Sequence, residues 1–342
     1  MTGSSRYTEA GVDIEAGDQI KARIGQLIRG TYSPSVLHRD GAFGGLFSLA
    51  HLSMQKPVLV SSVDGVGTKV KVASTVGKHK GIGVDLVNHC IDDILVCGAQ
   101  PLFFLDYFAC HTLNQPILAE LVEGMAEACQ EAGMSLLGGE TAQMTDVYRT
   151  GEYDLAGTIV GVVDEDQIID GSAIKPGDVL FGLPSSGLHT NGYTLARKVL
   201  LEDAQMDLAE TATGLNQPLG DALLEPHRSY LEEINALREA VPVKGMAHIT
   251  GGGFVGNVGR ILPQNCQAVI DVSLWTTPAL FTLIQSHGGV SNEEMYRVFN
   301  MGIGMVAVIG ADQLTEAQRI LPEGKPIGQI QAGEGVQLTG LK

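Results

Sequence analysis

One stretch constrains this chain more than any other: Val58-Leu59-Val60-Ser61-Ser62-Val63-Asp64-Gly65-Val66-Gly67-Thr68-Lys69. Residues 58–63 are rich in β-branched and small side chains and follow Pro57, which predicts a buried strand. The strand runs into a carboxylate, two glycines, a hydroxyl and an ammonium. Glycines let backbone N–H groups approach a phosphate closely. Asp64 is a candidate ligand for Mg²⁺, and Lys69 a candidate partner for a phosphoryl oxygen. A tight turn, opened by Asp64 and completed by glycines at positive φ, accounts for the same residues. The loop alone leaves both readings open.

At 342 residues the chain exceeds the usual size of one hydrophobic core, so two domains are expected. With 44 glycines and only 5% aromatics, recurrent apolar runs read as α/β or α+β architecture with many tight loops, not as disorder. A net charge of −17 excludes a basic nucleic-acid-binding stripe. It also means that any phosphate site must be local, built from a few cations, helix N-termini or Mg²⁺. The five cysteines form no CxxC pair and read as small core residues of a cytoplasmic protein. Met1–Glu15 is polar and acidic, unlike a signal or transit peptide, and no apolar run is long enough for a bilayer.

Along the chain, an amphipathic helix is expected from Ala16 to Ile28, and Gly41–Phe47 reads as a glycine-rich loop, either a nucleotide lid or a hairpin turn. In Gly83–Ala99, residues Asp85, Asn88, His89 and Asp92 fall on one helix face. That stripe lacks Lys, Arg and Glu, and with Asp93 beside it suits a hard cation better than a water-facing surface. Leu102–Cys110 reads as a buried strand, and Asn114–Gly133 as a helix with an Asn cap, Pro116 near its start and Gly133 past its end. Met134–Leu137 is a strand that runs into Gly138-Gly139-Glu140-Thr141, repeating the logic of Asp64. Tyr153–Val163 is a further strand, and residues 164–177 read as the linker between domains.

The second half opens on a strand, Val179–Leu183, followed by Ser185-Ser186-Gly187-Leu188-His189-Thr190-Asn191-Gly192 and a helix from Thr194 to Glu202. Hydroxyls and glycines before a helix make an anion site; a turn capped by Asn191 explains them as well. Gly220–Ala240 reads as helical with a break near Pro226. His248-Ile249-Thr250-Gly251-Gly252-Gly253 precedes another helix. Gly251, Gly253 and Gly256 match GxGxxG, but no convincing strand run precedes them and Pro263 cuts the helix short of a βαβ unit. Walker A is absent, which excludes a P-loop. Strands are expected at Val306–Ile309 and Lys325–Gln331, with a helix at Asp312–Leu321 between them.

Taken in order, Asp64–Lys69, Asn88–Asp93, Gly138–Ala142, Ser185–Tyr193, His248–Gly253 and Phe299–Met305 resemble the phosphoribosylformylglycinamidine cyclo-ligase (aminoimidazole ribonucleotide synthetase) family, as does Tyr7–Ile14. The resemblance covers essentially the whole chain. It implies a two-domain α/β fold of α+β-like make-up. Residues 1–168 would bind ATP and Mg²⁺ and dimerise through a mixed sheet that joins a shared β-barrel; residues 169–342 would form an α/β sandwich. It implies binding of ATP·Mg²⁺ without a P-loop, in the cleft between the domains. Selenophosphate synthetase, thiamine-monophosphate kinase and formylglycinamidine ribonucleotide synthase are related. In the first two, carboxylates matching Asp64 and Asp93 hold metal, and an Asp stands near the place of His248. The chain lacks a Cys before Cys90, unlike selenophosphate synthetase.

The implied reaction is ATP-driven closure of the imidazole ring of formylglycinamidine ribonucleotide in purine biosynthesis, by a cytoplasmic homodimer. The implied catalytic groups are Lys69, His189 and His248, either imidazole being able to move the amidine proton. Asp64, Gly65, Gly67, Thr68, Asn88, Asp93, Gly139, Glu140 and Thr141 would bind ATP, with Asp64, Asp92, Asp93 and Glu140 on the metal. Ser185, Ser186, Gly187, Asn191, Gly251, Gly252 and Gly253 would hold the substrate phosphate. A small-molecule kinase and a non-catalytic nucleotide-binding dimer of the same fold are the alternatives; the second would not need Asp64, Asp93 and Glu140, all of which are present.

Overall fold

The computed structural model describes residues 24–37 and 43–341. Tyr7–Ile14 and most of the helix expected from Ala16 lie outside the described residues, and a helix occupies residues 24–30. The chain forms two compact units: Met1–Ile94 with Gln100–Asp164, and Leu95–Ala99 with Glu165–Lys342. Among the described residues no helix is long and apolar enough to cross a membrane.

The first unit is built on a four-stranded sheet, β1 (Pro57–Gly65), β2 (Gln100–Cys110), β3 (Ser135–Gln143) and β4 (Tyr153–Asp164), in the order β1-β4-β2-β3. β4 is antiparallel to both neighbours, and β3 runs parallel to β2. Leu86 and Ile94 of the helix Lys80–Leu95 reach Gly157 and Gly161 of β4. With them Phe104, Phe108, Leu155 and Ile159 make the buried face. The helix Gln115–Glu131 starts as expected, the Asn114 side chain accepting from the Ile117 N–H at 3.3 Å. Val36 and Phe47 form an antiparallel bridge, and residues 41 and 42 of the Gly41–Phe47 region lie outside the described residues.

β1 is not the buried strand expected. Among the described residues it is a sheet edge paired only with β4, and its side chains mostly alternate between half-buried and exposed. Leu59, Val63 and, two strands away, Tyr107 share the face opposite the helices, at 58%, 69% and 40% exposure. Runs of β-branched residues report pleated geometry; they do not report what covers each face.

The second unit holds a six-stranded mixed sheet: β5 (Val179–Pro184), β6 (Val243–His248), β7 (Cys266–Asp271), β8 (Ile303–Ile309), β9 (Lys325–Ala332) and β10 (Gly335–Thr339), in the order β10-β7-β9-β5-β8-β6. Every residue of β8 is buried. Phe181, Leu183, Met246, Met305 and Ala307 pack with Tyr230, Ile234 and Leu237 into the core. β6 overturns the expectation that no strand precedes the glycine triplet; it delivers His248 straight into Gly251–Gly253. The helix expected over Gly220–Ala240 breaks near Pro226 as expected, into Leu219–Leu224 and Leu231–Ala240, and the break carries His227 and Arg228.

Candidate functional site

In the first unit, Asp64 near the end of β1 meets the helix Lys80–Leu95. His89 Nε2 donates to Asp64 Oδ2 at 2.8 Å and lies 3.8 Å from Asp93 Oδ2, one helical turn further on. Ser62 donates its hydroxyl to Asp93 Oδ2 at 2.9 Å, and the Gly65 N–H donates to Asp64 Oδ1 at 2.6 Å. The ligand atoms of Asp64, His89 and Asp93 lie within 4.8 Å of one another. Burial pushes the His89 pKa down, but the hydrogen bond to Asp64 and the charges of Asp93, Asp64 and Asp85 outweigh it and leave it raised. Burial likewise pushes Asp64 up, and the bond and charge of His89 with the Gly65 N–H bring it below its usual value. Two carboxylates and a hydroxyl converge here with an imidazole, oxygen donors of the kind a divalent ion takes.

Three expected members of this site stand elsewhere. Lys69 is fully buried, its Nζ 2.8 Å from each Asp85 oxygen, so its ammonium serves an internal ion pair and is not presented to the loop. Asp92 is fully buried and is not one of the three converging ligands. Gly138–Thr141 is not a loop but the continuation of β3. Glu140 pairs through Tyr107 and Ala156 to Gly65 at the opposite sheet edge, three strand spacings away, about 14 Å. Its Oε1 accepts from the Thr141 N–H at 2.8 Å. Gly139 is glycine because a Cβ there would collide with the Asp106 carboxylate. Gly67 takes φ +66 in the Asp64 loop, Thr68 opens the helix Lys69–Val76, and Asn88 is buried next to His89.

Asp106 faces the helices from β2, and burial pushes its carboxyl up to about 7, the Glu140 charge adding to the rise. An acid whose folded pKa lies above its unfolded value of about 3.9 is protonated more readily in the native state. Stability is therefore lost as pH rises from about 4 to about 7. Asp106→Asn is expected to be the more stable protein at about pH 8, with the gap closing toward pH 4; thermal melts across that range check it.

In the second unit the two glycine-bearing loops touch. Asn191 caps no helix: Gly192 holds the cap position at φ +79, and Asn191 Oδ1 accepts from the Gly251 N–H at 3.0 Å. Asn300 organises the hydroxyl loop. Its Oδ1 accepts from Ser185 Oγ at 2.9 Å, and its Nδ2 donates to the Gly187 carbonyl at 2.8 Å. The helices that follow the loops are short, Tyr193–Arg197, continued by a π segment to Asp203, and Gly253–Val258. With that π segment, and a 3-10 turn from Gly259 to Ile261 after the second, the helical turns cover nearly the expected Thr194–Glu202 and the stretch to Leu262. A Cβ on Gly192 would collide with the Phe299 ring, and one on Gly253 with the Tyr296 carbonyl. The segment Tyr296–Phe299 is therefore clamped against both loops. Around this junction opens a cavity of about 750 Å³ that Gly192, Gly251, Gly252, Ser291 and Arg297 line, with Glu293 and Glu294 on its wall.

Behind the hydroxyl loop lies a histidine cluster. His189, at φ +61, accepts the Ser186 N–H on Nε2 at 3.2 Å and stacks on His227 with ring centroids 3.9 Å apart. His227 Nδ1 is 2.9 Å from the Arg228 carbonyl, and its Nε2 is 3.2 Å from His248 Nε2. If His227 Nδ1 donates to the carbonyl in the neutral ring, His227 Nε2 is the acceptor and the proton between the rings belongs to His248. His227 and Asn300 were both missed as site residues: one sits in the break next to Pro226, where no motif marks it, the other in a run that reads as a turn into β8.

This architecture is that of an AIR synthase related protein: the family's N-terminal domain model matches residues 49–163 and its C-terminal domain model residues 175–340. Phosphoribosylformylglycinamidine cyclo-ligase of Myxococcus xanthus is 50% identical over 333 residues, 96% of each chain. That of Bacillus pumilus is 46% identical over 341 residues, 98% of this chain and 99% of the other. The chain belongs to the phosphoribosylformylglycinamidine cyclo-ligase family. Among solved structures it resembles thiamine-monophosphate kinase from Stenotrophomonas maltophilia (TM-score 0.68, 19% identity, 94% of this chain and 95% of that). It also resembles hydrogenase maturation protein HypE in complex with ATP (TM-score 0.65, 17% identity, 92% and 86%). At such identities the likeness is one of fold.

Proposed function

We propose that this chain catalyses the ATP-dependent cyclisation of formylglycinamidine ribonucleotide to 5-aminoimidazole ribonucleotide, with release of ADP and phosphate, in purine biosynthesis. The observation that carries this reading is the near-full-length identity, 50% and 46%, to cyclo-ligases. The formamide oxygen attacks the γ-phosphorus of ATP and ADP leaves. The amidine nitrogen then attacks the activated carbon and loses its proton, and the carbon–oxygen bond breaks to release phosphate. The protein's part is to hold both substrates in attacking geometry and to exclude water. Asp64 and Asp93 are the carboxylates that would hold Mg²⁺, which supplies charge neutralisation to the triphosphate. His189 and His248 are the groups that would accept the proton. The glycine triplet, with the Ser185–Asn191 loop beside it, would hold the 5′-phosphate. Five free cysteines accord with a cytoplasmic location.

The test is mass spectrometry of products after incubation with ATP, Mg²⁺ and formylglycinamidine ribonucleotide. The expected outcome is loss of one water from the ribonucleotide with stoichiometric ADP and phosphate. A stable phosphorylated ribonucleotide would make the chain a kinase instead.

The exposed apolar face of β1 and β2 supports a two-fold homodimer built on the first unit. Leu59→Arg combined with Val63→Asp is expected to shift the protein from dimer to monomer at micromolar concentration. Light scattering that finds the wild type a stable, active monomer would overturn this.

A further inference from the structure

We infer that Arg297 is the phosphate-reading cation of the ribonucleotide site, an inference that rests on assigning the glycine triplet to the 5′-phosphate. Neither glycine-bearing loop carries Lys or Arg at its tip: Ser185–Gly192 and His248–Gly253 have none. The helices after them offer only partial charge, and neither Tyr193–Arg197 nor Gly253–Val258 brings a Lys or Arg to its first turn. A phosphate dianion held by neutral N–H and hydroxyl groups alone, in a chain of net charge −17, lacks a counter-charge. The fold supplies one from a distant part of the sequence. Arg297 lines the same cavity as Gly192, Gly251 and Gly252. Its Cα lies 3.1 Å from the position a Gly253 Cβ would take, so the arginine backbone occupies space that only a glycine leaves open.

The chemistry of the wall is selective. Guanidinium presents a planar fork of N–H groups to phosphate oxygens, a match that a hydroxyl or amide does not offer. Glu293 and Glu294 stand four and three residues before Arg297 on the same short helix. Exposed pairs at that spacing are weak, so they do not hold the guanidinium away from a dianion. The group that the guanidinium fits is a phosphate, and the proposed function supplies it on a ribose.

The test uses ribose 5-phosphate as a competitive inhibitor of the full-length enzyme, with ribonucleotide as the varied substrate. Arg297→Gln is expected to raise the inhibition constant and the ribonucleotide KM roughly 30-fold or more, the loss of a charge-assisted pair, with the KM for ATP within about two-fold. Arg297→Lys keeps the charge without the fork and is expected to fall between Gln and wild type. Gly251→Ala sets a methyl into the cavity at a position with ordinary backbone, the new carbon 3.4 Å from Asn191 Oδ1. If Gly251→Ala weakens ribose 5-phosphate and Arg297→Gln does not, the glycine site stands and the role of Arg297 is overturned. If neither variant moves it, the phosphate assignment of the triplet fails first. If Arg297→Gln weakens ATP instead, the cavity belongs to the nucleotide and the inference is wrong.

Discussion

Asp64→Asn and Asp93→Asn are each expected to lower ATP turnover by roughly 100-fold or more while the protein stays folded. The two carboxylates converge from different elements on a single point, with His89 2.8 Å and 3.8 Å from their oxygens. In so acidic a chain, a triphosphate needs cationic neutralisation at its place of reaction. The two variants should differ in one respect. Asp64 accepts the His89 hydrogen bond and so helps hold the ring's pKa up against burial; without that charge burial gains and the ring loses its proton at a lower pH. Asp93→Asn keeps an oxygen for the Ser62 hydroxyl and disturbs His89 less. Both should need more Mg²⁺ for half-maximal rate, read from a Mg²⁺ titration with folding followed by circular dichroism. Near-normal turnover of both variants at limiting Mg²⁺ would remove the metal assignment.

The elements that could be read from the chain are those whose determinants are local. Asn114, Pro116 and Gly133 bracket a helix because a cap, a fixed φ and a positive φ act within one turn. β2 and β4 carry long enough apolar patterns to be found at nearly their true limits. What failed was decided by partners far away in sequence. Whether β1 is interior or edge depends on strand order, which nothing in Val58–Val63 encodes. Gly138-Gly139 looks like a turn, yet Gly139 is set by Asp106 on the neighbouring strand. β10, a five-residue strand with two residues exposed and none buried, is too short for periodicity to report. At the site, Asp64 was legible as a carboxylate that ends an apolar strand run, and His89 as part of the periodic polar helix face; Asp93 stands beside that face, and Asp92, which lies on it, is buried away from the cluster. Arg297 and His227 were not: no spacing rule links either to the loops they meet, and only the fold brings them together.

Lys69 carries the sharpest consequence of that difference. Read in sequence, an ammonium two residues after Gly67 belongs to a phosphate loop; in the fold it pairs with Asp85, and both side chains are fully buried. The pair stands in low dielectric, where removing one partner strands a charge that water cannot reach. Lys69→Met is therefore expected to destabilise the protein by about 3–5 kcal/mol, a fall in Tm of roughly 10 °C. The double variant Lys69→Met with Asp85→Leu replaces both charges by apolar groups and should recover most of that loss, since buried pairs exchange for well-packed hydrophobes at little net cost. Below the melting range, turnover per folded Lys69→Met molecule should stay within a few-fold of wild type. A lysine that touched the transferred phosphoryl group would behave in the opposite way: kcat would collapse, stability would hold, and the Asp85→Leu substitution would restore nothing. Melting curves and active-site-normalised rates of the three proteins separate the two cases.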